Sequence, residues 1–301
     1  CGNVIIYKNL NENTSQRCTV MNHTVTNTTE DYAYLMNIYI REYDKNGNDS
    51  INKSIMEKTN TVVEKEDHHE TYKMVLNMLE NGNCGKVWRG LKSFKYIWKG
   101  DEKYFKSIGK EWVELVRNGK GINLENLKHN YEFSEYKGMV VNNTIHHKLL
   151  DLFKGYIARN ISFKAYDFKD RQSDRWKSND EPLSRFLHYE LLPLIEKISG
   201  RKLKPSYTYL CGYVNGADLP SHTDRPECEY TVSFLIEKDK NWPIYLHKKK
   251  QETANKGRTG DKYIDHSECV ELDCEEGGII MFQGCDHLHF RHPYEGKNYN
   301  V

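Results

Sequence analysis

The sequence has no run of apolar residues long enough to cross a bilayer, which takes about 20 residues in a helix. Its charges almost cancel, with 44 basic against 43 acidic residues. No global field therefore favours a nucleic acid or an anionic membrane as a partner. The first residues also lack the basic-then-apolar order of a secretory signal. These absences predict a cytoplasmic protein without a membrane span and disfavour nucleic-acid binding.

Cysteine pairs are missing as well. The eight cysteines are scattered, and no two have Cys-x-x-Cys spacing. Eight in 301 residues are too few for a disulfide scaffold, and a chain of this length can bury a core without one. The His-Glu-x-x-His pattern of many hydrolytic zinc sites is also absent from the sequence. We expect mostly reduced thiols and no zinc-protease type of site.

The first part of the chain carries no recognisable chemistry. Residues 1–29 are rich in Asn and Thr, which favours loops. Apolar residues then recur with helical spacing over 30–43, 66–81 and 102–118. The sequence therefore predicts a mostly helical N-terminal region over residues 1–130, of unknown role.

Residues 131–301 change in character and are predicted to form a second domain. Helices are expected over 144–159 and from the capping residues 178–181 to Gly200, with a strand at 161–167 between them. Further strands are predicted at 207–214, 229–236, 243–247, 269–272, 278–282 and 287–291. Helices followed by many short strands predict an α+β fold whose sheets face each other.

His222-Thr223-Asp224 is the one His-x-Asp triplet in the sequence. It follows a predicted strand and a turn, and a second strong strand comes directly after it. A non-haem iron oxygenase needs two histidines and one carboxylate on one face of the metal, with the other positions open for ligands. His222 and Asp224 are therefore candidate metal ligands.

Three histidines compete to be the third ligand. They are His287, His289 and His292. His287 and His289 share a face of the last predicted strand, whereas His292 lies at the turn that follows. The spacing alone leaves this choice open.

Taken together, these motifs resemble the catalytic core of the Fe(II)/2-oxoglutarate-dependent dioxygenases, in the prolyl-4-hydroxylase-like branch. The residues that carry the resemblance are Tyr213, Gly216, Leu219, Pro220, His222 and Asp224, with the segment from Gly284 to Gly296. It extends over residues 205–301, about a third of the chain. The resemblance implies that His289, four residues before Pro293, is the distal ligand. It also implies a double-stranded β-helix (jelly-roll or cupin-like) core with flanking helices.

The cofactors implied by this resemblance are Fe(II), 2-oxoglutarate as cosubstrate and O2. Tyr213 matches the family's cosubstrate-contacting tyrosine. Relatives hold the far carboxylate with a Lys or Arg downstream of the distal histidine, where this sequence has Asn298 and Tyr299. Lys297 and Arg291 are then the candidate cations.

Thr231 and Ser233 alternate onto one face of a predicted strand and are expected to line the same pocket. Halogenating relatives usually lack the carboxylate at the position of Asp224 and leave it open for chloride. Because this sequence retains Asp224, the resemblance implies hydroxylation. Arg225 and Glu227 directly follow the metal motif and are candidate substrate contacts.

The expected substrate is a peptide or protein side chain, an amino acid or a small metabolite. Residues 248–262 hold six basic against two acidic residues, which we interpret as a solvated loop rather than an anion site. One alternative is a nucleobase-oxidising dioxygenase, although the balanced charge counts against it. The other is a non-enzymatic, cupin-like module that binds a metal or a ligand.

Overall fold

The protein has a mixed architecture of helices and antiparallel sheets, which confirms the α+β class expected from the sequence. A computed structural model describes residues 3–9, 102–170, 172–179, 181–225, 228–251 and 265–297. The helices predicted over 30–43 and 66–81 lie outside the described residues, and the boundary near residue 130 stays a prediction.

Three α-helices lie in the described part of the chain. They are α1 (Glu102–Arg117), α2 (His147–Ser162) and α3 (Pro182–Ser199). The Glu181 side chain caps α3 by accepting a hydrogen bond from the Ser184 amide at 2.9 Å. Gly200 ends that helix with a φ of 64°, which glycine adopts without strain. The predicted helix that ends at Gly200 is confirmed.

The described strands number eleven. They are β1 (Asn3–Asn9), β2 (Met139–Val141), β3 (Asp167–Phe168), β4 (Arg175–Asn179), β5 (Leu203–Tyr213), β6 (Leu219–His222), β7 (Tyr230–Phe234), β8 (Ile244–Lys250), β9 (Cys269–Leu272), β10 (Ile279–Phe282) and β11 (His287–Arg291). Six of them correspond to the strands predicted between residues 207 and 291. The strand predicted at 161–167 is wrong for most of its length, because α2 continues to Ser162 and residues 163–166 form the turn that leads to β3.

These strands form two antiparallel sheets. The larger sheet has seven strands in the order β2-β10-β7-β1-β5-β4-β3. The smaller sheet has four, in the order β6-β11-β8-β9. β6 therefore lies at an edge of the smaller sheet, directly beside β11.

One face of the larger sheet packs against the helices. Tyr230, Val232 and Phe234 of β7 belong to a hydrophobic cluster that also contains side chains from all three helices. Trp112 of α1 contacts the ring of Phe153 edge-on at 5.0 Å between centroids, and that of Phe186 at 6.0 Å. The helices thus cover this face with a continuous apolar layer.

The opposite face of the larger sheet meets the smaller sheet. A second hydrophobic cluster joins Cys211 and Phe282 from the larger sheet to Ile244 and Leu246 from the smaller one. Because side chains alternate along a strand, Thr231 of β7 points toward this interior while its neighbours point to the helices. The sequence thus builds a space between the sheets in which polar groups are enclosed by apolar ones.

Four described strands, β1, β2, β4 and β6, were not predicted from the sequence. β6 contains Pro220, which suits an edge strand because proline cannot donate a ladder hydrogen bond. Residues 1–29 were expected to form loops, yet β1 pairs with both β5 and β7 inside the larger sheet. The β-branched run of residues 4–6 fits that central place.

None of the helices in the described ranges is long and apolar enough to pass through a membrane.

Candidate metal site between the two sheets

The three residues singled out as metal ligands come together between the sheets. His222 ends β6, and His289 lies opposite it in register on β11. Asp224 follows two residues after β6 and returns toward both rings. One ligand atom from each side chain lies within 4.8 Å of the others, which makes this group a possible metal site.

The distances within this triad suit a shared ion. The Oδ1 atom of Asp224 lies 3.6 Å from Nε2 of His222 and 3.6 Å from Nε2 of His289. The two imidazole rings are 4.3 Å apart between centroids. Two nitrogens and one oxygen therefore converge on one small volume, as a metal with three protein ligands requires.

The hydrogen bonds of the two rings fix which nitrogen faces the site. Nδ1 of His222 lies 2.8 Å from the Pro220 carbonyl oxygen, and Nδ1 of His289 lies 3.1 Å from that of His287. Since a carbonyl only accepts, each Nδ1 must carry the proton. Each Nε2 then presents its lone pair to the site, which is the state in which histidine binds a metal.

The charges at the site also favour a cation. Burial, with the neighbouring His289, lowers the pKa of His222 to about 4, so that ring is neutral at physiological pH. Burial opposes ionisation of Asp224, but His289, His222 and Thr231 together hold its pKa well below the usual range. A charged carboxylate and a neutral imidazole are the forms that bind metals.

Thr231 and Gly284 hold Asp224 in place. The Thr231 hydroxyl donates to Asp224 Oδ2 at 2.6 Å, which leaves Oδ1 for a metal. The Asp224 amide donates to the Gly284 carbonyl at 2.8 Å. A Cβ added at Gly284 would overlap both Asp224 Oδ2 and Thr231 Oγ1. The sequence alone did not reveal this requirement for glycine, because it depends on a contact between residues far apart in the chain.

The other two histidines lie outside the triad. His287 is buried, and its Nδ1 lies 2.9 Å from the His247 carbonyl oxygen. His292 faces His266, with 2.7 Å between their Nε2 atoms. Only His289 of the three belongs to the possible metal group among the described residues.

Tyr213 is buried next to Arg175, a residue that sequence reasoning missed. Arg175 lies opposite Tyr213 in the pairing of β4 with β5, and its guanidinium donates to the Tyr213 hydroxyl. On its other side, the Tyr213 ring contacts Trp242 at 4.7 Å. Nothing in the local sequence of β4 marks Arg175, and only the strand pairing shows its place.

Arg291 is a buried cation that forms no salt bridge with the described part of the chain. Its side chain donates to the Trp242 carbonyl and lies over the Trp242 ring at 4.7 Å. Among the described residues, no carboxylate is within salt-bridge distance of Arg291, and its Nε has no hydrogen-bond partner. Burial lowers the pKa of Arg291 to about 10, so it stays charged at neutral pH.

The remaining candidates occupy different places. Lys297 is exposed, and its backbone amide donates to Asp239 at 2.7 Å. Ser233 is buried on the Thr231 side of β7. Arg225 is exposed directly after Asp224. Glu227 lies outside the described residues, as does most of the basic segment 248–262.

No protein-family model and no curated protein matches the chain. Among solved structures, it is similar to the crystal structure of a prolyl-4-hydroxylase from Pseudomonas putida, with 11% sequence identity and a TM-score of 0.39. The match covers 59% of this chain and 91% of that chain. This is a weak likeness of fold, and a likeness of this degree carries no information on activity.

Proposed function

We propose that this protein is an Fe(II)- and 2-oxoglutarate-dependent oxygenase that hydroxylates its substrate. His222, Asp224 and His289 would hold the iron. The observation that carries the proposal is the convergence of both Nε2 atoms on one Asp224 oxygen, with each Nδ1 turned to a carbonyl. Three protein ligands of this kind leave the remaining metal positions for cosubstrate and oxygen.

Ferrous iron with 2-oxoglutarate and O2 supplies the oxidising chemistry, and the protein supplies binding and orientation. Thr231 holds Asp224 Oδ2, so that Oδ1 would be the oxygen that binds the metal, and Gly284 leaves room for that arrangement. The carbonyls of Pro220 and His287 keep both rings in the ligating tautomer. Zinc also accepts two histidines and a carboxylate, so metal identity is a direct test of the proposal.

Arg291 and Tyr213 are proposed to bind the far carboxylate of the cosubstrate. A buried guanidinium that forms no salt bridge with any described carboxylate favours an anionic ligand, since an unpaired buried charge is costly. The Tyr213 hydroxyl adds a neutral donor close to it. Lys297 fits less well, because it is exposed and its backbone amide is tied to Asp239.

The substrate is proposed to be a peptide or protein side chain, an amino acid or a small metabolite. Arg225 lies exposed beside the metal group and is the proposed substrate contact. Ser233, on the Thr231 face of β7, is proposed to line the cosubstrate pocket. The two facing sheets would then form a double-stranded β-helix with the metal group between them.

An anaerobic titration of the purified protein with Fe(II) and then 2-oxoglutarate tests the proposal. We expect a weak visible absorption band when both are present, and its loss in His222→Ala. On admission of O2, 2-oxoglutarate should be converted to succinate. A protein that binds Zn(II) but forms no band and no succinate would instead be a metal-binding module.

A further inference from the structure

The guanidinium of Arg175 is held by three side chains at once. Its Nε donates to Asp170 Oδ2 at 2.8 Å, and an Nη atom lies 2.7 Å from the same oxygen. That Nη atom also donates to Gln172 Oε1 at 3.0 Å, and the other one donates to the Tyr213 hydroxyl. Arg175 is 5% exposed, so this arrangement is enclosed by protein.

Asp170 cancels the charge of Arg175. Its carboxylate also accepts hydrogen bonds from the Gln172 and Ser173 amides at 2.7 and 2.9 Å, and from the Tyr209 hydroxyl at 2.9 Å. Burial opposes ionisation of Asp170, but Arg175 and the two amides lower its pKa to about 2. With a charged carboxylate as its partner, Arg175 is not the cation that an anionic ligand would need.

The hydrogen bond from Arg175 determines the role of the Tyr213 hydroxyl. A guanidinium has no acceptor, so the Tyr213 oxygen must accept and its own proton must be donated elsewhere. Burial raises the pKa of Tyr213, so the phenol keeps this proton. Of the described groups, the Cys211 thiol is near enough for the Tyr213 hydroxyl to lower its pKa, and sulfur is only a weak acceptor for the phenol proton.

Arg291 completes the surroundings of Tyr213. Its positive charge is close enough to act on the Tyr213 hydroxyl, and Trp242 contacts both side chains at 4.7 Å. Tyr213 therefore has two arginines near it. Arg175 has a carboxylate partner, whereas Arg291 has no carboxylate within salt-bridge distance among the described residues, since the nearby Asp273 is paired with Lys238. A single carboxylate of a ligand would balance the second charge and accept the phenol proton.

We propose that Arg175 is a positioning residue for this ligand carboxylate. Arg175 holds the Tyr213 hydroxyl so that its proton points to the carboxylate, and Arg291 balances the charge of that carboxylate. The inference rests on the proposed function and deepens it. Arg175 on β4 would then help the protein to select a cosubstrate that has a second carboxylate. This residue lies outside the segment from Tyr213 to Gly296 that carries the sequence motifs.

The test compares two ligands of the Fe(II)-loaded protein under anaerobic conditions. 2-Oxoglutarate carries a distal carboxylate beyond its chelating keto-acid end, whereas oxalate uses both of its carboxylates to chelate the metal. Dissociation constants are measured for wild type, Arg175→Met, Tyr213→Phe and the double variant. The signal is the quenching of protein fluorescence, to which Trp242 beside Tyr213 contributes. Because a hydrogen bond to a charged group is lost, we expect Arg175→Met to weaken 2-oxoglutarate about 10- to 100-fold and to leave oxalate unchanged.

The double variant separates positioning from a general structural role. If Arg175 acts through Tyr213, the double variant should bind 2-oxoglutarate as Tyr213→Phe does, with no further loss. Arg159→Met is the matched control. Arg175 lies 5.1 Å from the Tyr209 and Tyr213 ring centroids, and Arg159 likewise lies over two aromatic rings, at 4.4 and 4.6 Å, but on α2. It should bind both ligands as wild type does.

Losses that add in the double variant would overturn the inference, and so would an equal loss of oxalate affinity in Arg175→Met. 2-Oxobutyrate has the same keto-acid end as 2-oxoglutarate and no second carboxylate. A wild type that binds the two equally well would overturn this inference without touching the iron assignment, because no second-carboxylate site would exist. Oxalate binding that needs neither iron nor His222 would overturn the proposed function itself.

Discussion

The two faces of the larger sheet differ in what they enclose. The face toward the helices is covered by apolar rings such as Trp112 and Phe186, which are fully buried. The face toward the smaller sheet carries Thr231, Tyr213 and Arg175, all buried and all bonded to other polar groups. The difference indicates that one face stabilises the fold by apolar burial, while the other holds polar groups in set positions.

The largest effect expected on the inner face is the loss of iron binding in His289→Ala. Two ligands remain in this variant, which is too few to hold ferrous iron at the site. His287→Ala and His292→Ala are the matched controls from the same segment and should still bind iron. Fe(II) binding followed by equilibrium dialysis checks this, and retention of iron by His289→Ala would assign the distal ligand elsewhere.

The largest effect expected on the helix face is on stability alone. Phe186→Ala removes a fully buried ring that packs on Trp112, which should lower the free energy of unfolding by about 3–5 kcal/mol. Urea denaturation measures the loss. The folded fraction should bind Fe(II) with wild-type affinity, and a large drop in that affinity would mean that the two faces are not separable.

The helix face also contains a buried acid, Glu181, whose carboxyl group is hydrogen-bonded to Tyr156 at 2.5 Å and to Ser184. Burial raises the pKa of Glu181 to about 7, against 4.5 for the unfolded chain. The folded state therefore holds a proton that the unfolded state loses as the pH rises from about 4.5 to 7. The contribution of protonated Glu181 to the free energy of unfolding is fully present below about pH 4.5. That free energy then falls by ~3 kcal/mol by pH 7.

Glu181→Gln should remove this dependence, because glutamine keeps a neutral side chain of the same length. The measurement is the free energy of unfolding of wild type and variant at several pH values between 4 and 8. Curves that stay parallel throughout would show that Glu181 ionises equally in both states.

The smallest effect is expected from Thr231→Val on the inner face. The variant keeps the shape of the side chain but leaves Asp224 Oδ2 without its 2.6 Å hydrogen bond. Loss of a group that orients a metal ligand commonly lowers affinity about 10- to 100-fold. Thr144→Val is the matched control, since it removes a buried 2.7 Å bond to the Gly277 carbonyl. That control should cost stability without changing the Fe(II) dissociation constant.

The same contrast explains what could be predicted from the sequence. Helix ends and apolar strands follow from local patterns, so α3 and most strands after residue 203 were found. His222 and Asp224 are the first and third residues of one triplet, with Thr223 between them. A turn before the triplet and a strong strand after it made this motif recognisable in the sequence. Arg175 gave no local signal, because its role depends on pairing with Tyr213, 38 residues later. β6 was missed because it is short, contains Pro220 and lies at an edge.

The register of β6 with β11 also links folding to the metal. His222 and His289 lie opposite each other although they are 67 positions apart in the chain. Closing so long a segment costs chain entropy before any contact between its ends is gained. An ion bound by both strands would clip these ends together and stabilise the folded state as a ligand does. The midpoint of thermal unfolding should therefore rise with Fe(II) concentration, and a chelator should release the edge strand first.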